Sequence, residues 1–416
     1  MLKRVVVTGI GALTPIGNSA PAYWEALLNG VSGCDTIKAI DISKFKTRIG
    51  CELKDFDVLQ HMDRKEAKRQ DRFAHIAMVC ADEAMRDSGI DTTKIDRYRA
   101  GVIWSSGIGG IGVFEEEITN FAKGDGTPRF NPFFIPKMIA DIAAGHISIK
   151  YKFCGPNYAP VAACASSTIA LIDAFNFIRL GKCDIVLAGG SEAAITNGGV
   201  GGFSAMKAMS ERNDDPKTAS RPYDKDRDGF VLGEGGGAIM LESLDHALAR
   251  GAKIYCELAG GGLTADAYHL TAPDPEGTGV TKVMEFALED AQLKTTDIDY
   301  INTHGTSTPL GDVAELKAIQ KVFGEHSYQM NISSTKSMTG HLLGAAGAIE
   351  AIATILAIKN GMIPPTINNF NLDPEIDTRL NLTLNTAQKR TVNAAVCNTF
   401  GFGGHNAAAI FKRYIG

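Results

Sequence analysis

The sequence predicts an α/β protein built from two similar halves, and three observations carry that prediction. Short apolar runs rich in Val and Ile alternate along the chain with longer helical stretches. Most of those runs are apolar throughout, as in strands covered by helices on both faces. Two segments, 166–182 and 344–361, repeat one design: small residues, an apolar helix, then Arg-Leu-Gly-Lys or Ile-Lys-Asn-Gly. Small residues at both helix starts would let two central helices pack closely.

In chain order, strands are expected at 4–10, 100–104, 184–188 and 237–241, then again at 254–259, 298–302, 331–334 and 394–398. Helices are expected at 69–88, 167–180, 280–291 and 345–359. No long linker or low-complexity segment interrupts this order. The least regular stretch is 210–229, rich in Asp, Arg and Pro. The best internal boundary lies near Gly251, dividing the chain into an N-terminal half, 1–250, and a C-terminal half, 251–416.

Composition narrows the function. The 416 residues are 44% hydrophobic and 21% charged, enough for a large core, and the net charge of -5 supplies no basic field for nucleic acid or an anionic membrane. The eight cysteines contain no CxxC pair and read as reduced thiols. The nine histidines contain no HExxH, so no histidine-bound metal is expected. The apolar run after Lys3 and Arg4 is cut short by Gly9 and Gly11, unlike a secretory leader. No apolar stretch is expected to reach membrane-spanning length. These features predict a soluble, cytoplasmic protein.

Four segments carry the candidate chemistry. Cys164 lies in Val161-Ala162-Ala163-Cys164-Ala165-Ser166-Ser167, between an apolar run and a helix. A thiol there would feel the positive end of the helix dipole, which favours thiolate. A buried structural cysteine is the competing reading. His304, in Thr303-His304-Gly305-Thr306-Ser307-Thr308, falls where a strand gives way to a loop, the place where folds present functional groups. Lys336 and His341, in Lys336-Ser337-Met338-Thr339-Gly340-His341, precede a helix that contains Glu350. A neutral imidazole at a helix start can donate one hydrogen bond to a carbonyl oxygen, and Lys336 has Glu350 as a candidate partner. The tail Phe400-Gly401-Phe402-Gly403-Gly404-His405 reads as a hairpin turn, since it lacks the Lys-Ser/Thr ending of a phosphate loop. Gly107-Ile108-Gly109-Gly110 does not fit the dinucleotide pattern GxGxxG either.

Taken in order, these motifs resemble the ketosynthases of fatty-acid and polyketide synthesis, above all the elongating β-ketoacyl-[acyl-carrier-protein] synthases of type II systems. The resemblance runs from Val5-Val6-Val7-Thr8-Gly9 to the last strand. It implies a thiolase-like fold, two pseudo-symmetric α/β halves in a five-layered αβαβα arrangement, usually as a homodimer. It implies that Cys164 holds an acyl group as a thioester, with an oxyanion hole from the N–H groups of Cys164 and Phe400. His304 and His341 would stabilise the enolate formed when malonyl-carrier protein loses carbon dioxide. Lys336, supported by Glu350, would act electrostatically. Thr306 and Thr308 would bind the phosphopantetheine arm; Ile108, Phe133, Phe203 and Phe402 would bind acyl substrate, and Phe400 would gate the pocket. No cofactor is implied, because phosphopantetheine arrives on the carrier.

The same resemblance implies an acidic acyl carrier protein as partner, and Lys65, Lys68 and Arg69, within the basic run 64–72, would dock it from one helical face. A solvated helix surface explains the same charges. Some relatives hold a structural cation near the positions of Asn302, Glu350 and Asn398. Cys397 and Thr399 stand where serines are common and His405 where threonine is common. A polyketide ketosynthase would show the same motifs. A chain-length factor lacks the nucleophilic cysteine, and thiolases or initiating condensing enzymes lack this pair of histidines.

Overall fold

The computed structural model describes residues 2–416. Ten strands form one mixed sheet. In chain order they are β1 (Val5–Leu13), β2 (Ala100–Ser105), β3 (Asn157–Tyr158), β4 (Ile185–Glu192), β5 (Gly235–Ser243), β6 (Cys256–Ala265), β7 (Tyr300–Asn302), β8 (Asn331–Ser333), β9 (Ala394–Gly401) and β10 (His405–Lys412). Their order across the sheet is β8-β7-β9-β10-β6-β1-β5-β4-β2-β3. Read outward from the centre, β1-β5-β4-β2-β3 and β6-β10-β9-β7-β8 are the same five-strand unit twice. Each has an antiparallel trio at the seam and parallel neighbours outside it. Within the sheet, the halves are joined by three antiparallel pairs, Val5–Leu258, Val6–Glu257 and Val7–Cys256.

The helices complete five layers. Helix α1 (Arg72–Ser88) covers β1 and β5 on one outer face. The exposed segments α2 (Ile111–Lys123) and α3 (Phe134–Met138) follow. Helix α4 (Ser166–Arg179) lies beneath β4 in the middle layer. Helix α5 (Thr278–Ala291) covers β6 and β10 on the other outer face, and α6 (Gly311–Phe323) packs beside it. The short α7 (Lys336–Thr339) leads to α8 (Ala346–Asn360), which packs on β9 and against α4. The thiolase-like layering expected from the sequence is therefore present, and the duplicated segments 166–182 and 344–361 are α4 and α8.

Several boundaries differ for identifiable reasons. The first long helix begins at Arg72, not at 69, because the Asp71 carboxylate caps it by accepting the N–H of Phe73. Only Arg64–Ala67 forms a separate turn before it, capped by Asp63. Lys65, Lys68 and Arg69 are exposed, but they straddle this break and do not share one continuous helical face. The 343–360 run is long and apolar enough to cross a membrane by length and composition, contrary to expectation. It is 89% buried within the protein, where β5 and β9, from the two halves of the sheet, supply the apolar surroundings.

Close approach of α4 and α8 rests on glycine. A Cβ on Gly347 would lie 2.0 Å from Thr168 Oγ1, and one on Gly344 would lie 2.2 Å from the Gly107 nitrogen. Gly347→Ala is expected to destabilise the protein by about 1–3 kcal/mol through overpacking, read as an earlier midpoint in urea unfolding; an unchanged midpoint would contradict the close crossing.

Candidate active site

The start of α4 and the segment before α8 meet at one point. Cys164 lies on the turn that opens α4, and its predecessor Ala163 has φ +48. That left-handed backbone is held from both sides: Ser166 Oγ donates to the Ala163 carbonyl at 2.7 Å and accepts the Ala162 N–H at 2.8 Å. The symmetric residue Leu343, before α8, has φ +47. A non-glycine residue in this region costs about 1–3 kcal/mol and persists where the surroundings over-determine it. Here the turn directs the sulfur away from the helix and towards His341, whose Nε2 lies 3.0 Å from Cys164 Sγ.

His304 completes the group. The reactive atoms of Cys164, His304 and His341 all lie within 4.8 Å of one another, and the imidazoles meet edge to face at 5.2 Å. His304 is positioned through its backbone. Glu315 on α6 accepts the N–H groups of His304 and Gly305, each at 2.9 Å. Asp312, one turn earlier, accepts those of Ser307 and Thr308. These carboxylates were overlooked in the sequence, although their i, i+3 spacing directly after the histidine loop was the available signal.

Burial governs the titration of this site. It pushes the Cys164 thiol up to about 12, partly opposed by Lys336 and by the backbone N–H of Phe402. The rise from 9 corresponds to about 4 kcal/mol, which exceeds the ~0.3–2 kcal/mol available from a helix terminus. The dipole expected to favour thiolate is therefore outweighed, and the resting sulfur is a thiol. His304 and His341 are held well below their ordinary value, first by burial and then by the Lys336 ammonium, so both are neutral. Lys336 is itself buried and paired with the Glu350 carboxylate. Both imidazole Nδ1 atoms are buried without a hydrogen-bond partner, so no contact there fixes either tautomer.

A cavity of about 530 Å³ opens onto these groups. Thr306 and Thr308 line it, their hydroxyls 3.0 Å apart, together with Phe203, Phe230, Phe400 and Phe402. The Phe400 ring packs on His304 at 5.7 Å and Phe230 on His341 at 5.5 Å. Two expectations need correction. The amide directed at Cys164 is that of Phe402, at the hairpin turn, whereas Phe400 lies within the β9–β10 ladder opposite Asn406. Ile108 and Phe133 are absent from the cavity lining and face outward, 39% and 40% exposed. Lys65, Lys68 and Arg69 also lie outside the lining; the Arg69 guanidinium stacks over the Phe133 ring at 5.3 Å.

Behind the histidines, Asn302 Oδ1, Glu350 Oε2 and Asn398 Oδ1 are buried without partners. Asn302 ends β7, Asn398 lies within the adjacent β9, and the Asn302 amide donates to the Glu350 carbonyl. Such hard oxygen donors fit a structural cation. Cys397 points a soft, strongly protonated thiol into the same region.

A thiol and two neutral imidazoles in an apolar cavity define a site for covalent acyl transfer with enolate stabilisation. Family models agree: "Beta-ketoacyl synthase, N-terminal domain" matches residues 2–247 and "Beta-ketoacyl synthase, C-terminal domain" matches 255–370. The chain belongs to the β-ketoacyl synthase family. It is 49% identical over 412 residues, 99% of this chain and 98% of the relative, to the 3-oxoacyl-[acyl-carrier-protein] synthase 2 of Synechocystis sp.. Among solved structures it is similar to a β-ketoacyl synthase from Burkholderia phymatum, with TM-score 0.92, 34% identity and coverage of 99% and 100% of the two chains. It also resembles a type II polyketide ketosynthase solved with its acyl carrier protein, with TM-score 0.90, 31% identity and full coverage of both chains.

Glu315 gives a pH test. Burial lifts its carboxyl to about 7 in the folded protein, above its ordinary 4.5. Its contribution to stability is therefore fully present below about pH 4.5 and is lost as pH rises through about 7. Urea midpoints measured from pH 4.5 to 8 should show this loss in the native protein relative to Glu315→Gln; parallel pH curves would contradict the assignment.

Proposed function

We propose that this protein catalyses the decarboxylating condensation of malonyl-[acyl-carrier-protein] with an acyl group held on Cys164, extending a fatty-acid chain by one unit. The observation that carries the reading is the Cys164–His341 contact beside a second neutral histidine in one apolar cavity. In the first half-reaction, the Cys164 sulfur attacks the acyl thioester carbonyl while His341 Nε2 takes the thiol proton. The N–H groups of Cys164 and Phe402 receive the developing oxyanion, and the carrier thiol leaves with the proton. In the second, malonyl-carrier protein enters, and Nε2–H groups of His304 and His341 donate to its thioester carbonyl.

Loss of carbon dioxide places negative charge on that oxygen, where neutral preorganised donors stabilise it selectively. The enolate carbon then attacks the acyl-cysteine, and Cys164 leaves as a thiolate that takes up a proton from solvent to restore the thiol. Unfixed tautomers suit this sequence, because His341 Nε2 accepts in one half-reaction and donates in the other. Burial, assisted by Lys336, keeps both histidines neutral. A hard cation held by Asn302, Glu350 and Asn398 would supply positive charge behind the pair. Thr306 and Thr308 offer hydroxyls to the phosphopantetheine arm along the cavity.

The same reading assigns a homodimer. Phe114, Ile118, Phe121, Phe130 and Phe133, together with Ile108, are exposed apolar residues. A second copy would cover these residues and bring Ile108 and Phe133 to an acyl channel. The basic Lys65, Lys68 and Arg69 would receive the acidic carrier. Eight free cysteines support a reducing, cytoplasmic setting.

The decisive experiment follows β-ketoacyl product and the mass of the Cys164 peptide after mixing the protein with long-chain acyl-carrier protein and malonyl-carrier protein. Acyl mass on that peptide, with product lost in Cys164→Ala, supports the reading; neither signal at any chain length would refute it. Product restricted to polyketide-type starters would assign the other pathway. His304→Ala and His341→Ala should each slow condensation roughly 10²–10³-fold. Reversing charge at Lys65 and Lys68 should raise KM for carrier-bound substrate while kcat holds; unchanged KM would remove the docking role.

A further inference from the structure

A second thiol group lies behind the active site. Residues Asp35–Thr36 and Ile49–Gly50 form a small antiparallel ribbon in which Asp35 faces Gly50 and Thr36 faces Ile49. Continuing that register puts Cys34 directly opposite Cys51. The Ile37 N–H donates to the Arg48 carbonyl at 3.0 Å, so hydrogen-bonded pairs fall at 37–48 and 35–50. Cys34 and Cys51 therefore occupy a non-hydrogen-bonded pair, where Cα atoms stand about 4.5 Å apart and side chains are closest. That spacing lies within the range a disulfide spans. The two thiols lie together in one buried cluster with Ile49, Ala219 and Val231.

This pair touches the backbone that carries His341. A Cβ on Gly340 would lie 2.8 Å from Cys51 Sγ. Cys51 N–H donates to Leu232, His341 N–H to Val231, and Gly233 N–H to the His341 carbonyl, so one strand separates Cys51 from His341. On the other side, Gly33 N–H donates to the Met338 carbonyl at 2.7 Å. Burial, and Cys34 beside it, hold the Cys51 thiol well above its ordinary value, and Lys54 and Lys217 offset this only in part.

We propose that Cys34 and Cys51 are a redox-active dithiol, closed to a disulfide by hydrogen peroxide, and that closure slows the step served by His341. Cys51, losing its proton when the ribbon opens locally, attacks peroxide oxygen and breaks the O–O bond, giving a sulfenic acid and hydroxide, which takes up the released proton as water. Cys34 then attacks that sulfur and expels the hydroxyl group as water. Two thiols are oxidised and one peroxide is reduced to two waters. Peroxide is small enough to reach a buried pair during local opening of the ribbon. Drawing the sulfurs together removes the packing beneath Gly340 and lets the His341 segment shift.

The test separates this pair from Cys164. The full-length enzyme is loaded with a long-chain acyl group on Cys164, treated with peroxide, then mixed with malonyl-carrier protein in a single turnover. The expected result is a non-reducing peptide linking Cys34 to Cys51, a condensation rate at least fivefold lower, and recovery with dithiothreitol. Cys34→Ala, and independently Cys51→Ser, should keep the untreated rate and lose the reversible fall. Absence of the linked peptide, or a linked peptide with an unchanged rate, overturns the proposal. The activity arm rests on the condensation reading. The peptide arm does not, so failure of acyl loading is distinguishable from failure of the dithiol.

Discussion

The crossing of the two central helices is the constraint on which the rest of the structure depends. Thr168 of α4 and Gly347 of α8 approach so closely that any side chain at 347 meets the threonine. That approach brings the turn before one helix against the segment before the other, and with it a sulfur against an imidazole. Neither half alone holds a complete set of reacting groups. Cys164 comes from the N-terminal half, and His304 and His341 come from the C-terminal half. The outer helices and the ten-stranded sheet hold this crossing at a fixed distance.

Burial is the second determinant. It makes the thiol a thiol and the imidazoles neutral, states that charge arguments along the sequence would not all predict. The buried Lys336–Glu350 pair sets the sign of the field at both histidines. An ion pair in such a place contributes little net stability, because desolvation offsets its attraction. Its effect is on the protonation of its neighbours, and the three oxygens left without partners behind it are acceptors that still lack a donor or a cation.

Much of this was legible in the sequence. Eight strands and four helices were placed within a few residues, since long apolar runs and regular helical spacing leave few alternatives. The duplication was visible in the small residues opening α4 and α8. The catalytic trio was legible only because its motifs occur together; none of them decides alone between reactive and structural use. The missed features depend on three-dimensional facts. Asp71 capped a helix three residues late. Phe402, not Phe400, reached the turn where its amide faces the sulfur, because the ladder extends one pair beyond Phe400. The roles of Asp312 and Glu315 follow from the loop folding back over α6, and Ile108 and Phe133 point away from the cavity within one chain.

The matched turns at Ala163 and Leu343 have a consequence for how such a molecule diversifies. Both repeats retain the same left-handed kink, and the position after it is Cys164 in one and Gly344 in the other. Any side chain at 344 would collide with the backbone at Gly107. The second elbow thus preserves the geometry of a nucleophile site while excluding a nucleophile. The division of labour between the repeats is sterically locked: drift in the C-terminal copy can refine the histidines, but it cannot regenerate a second acyl-bearing centre.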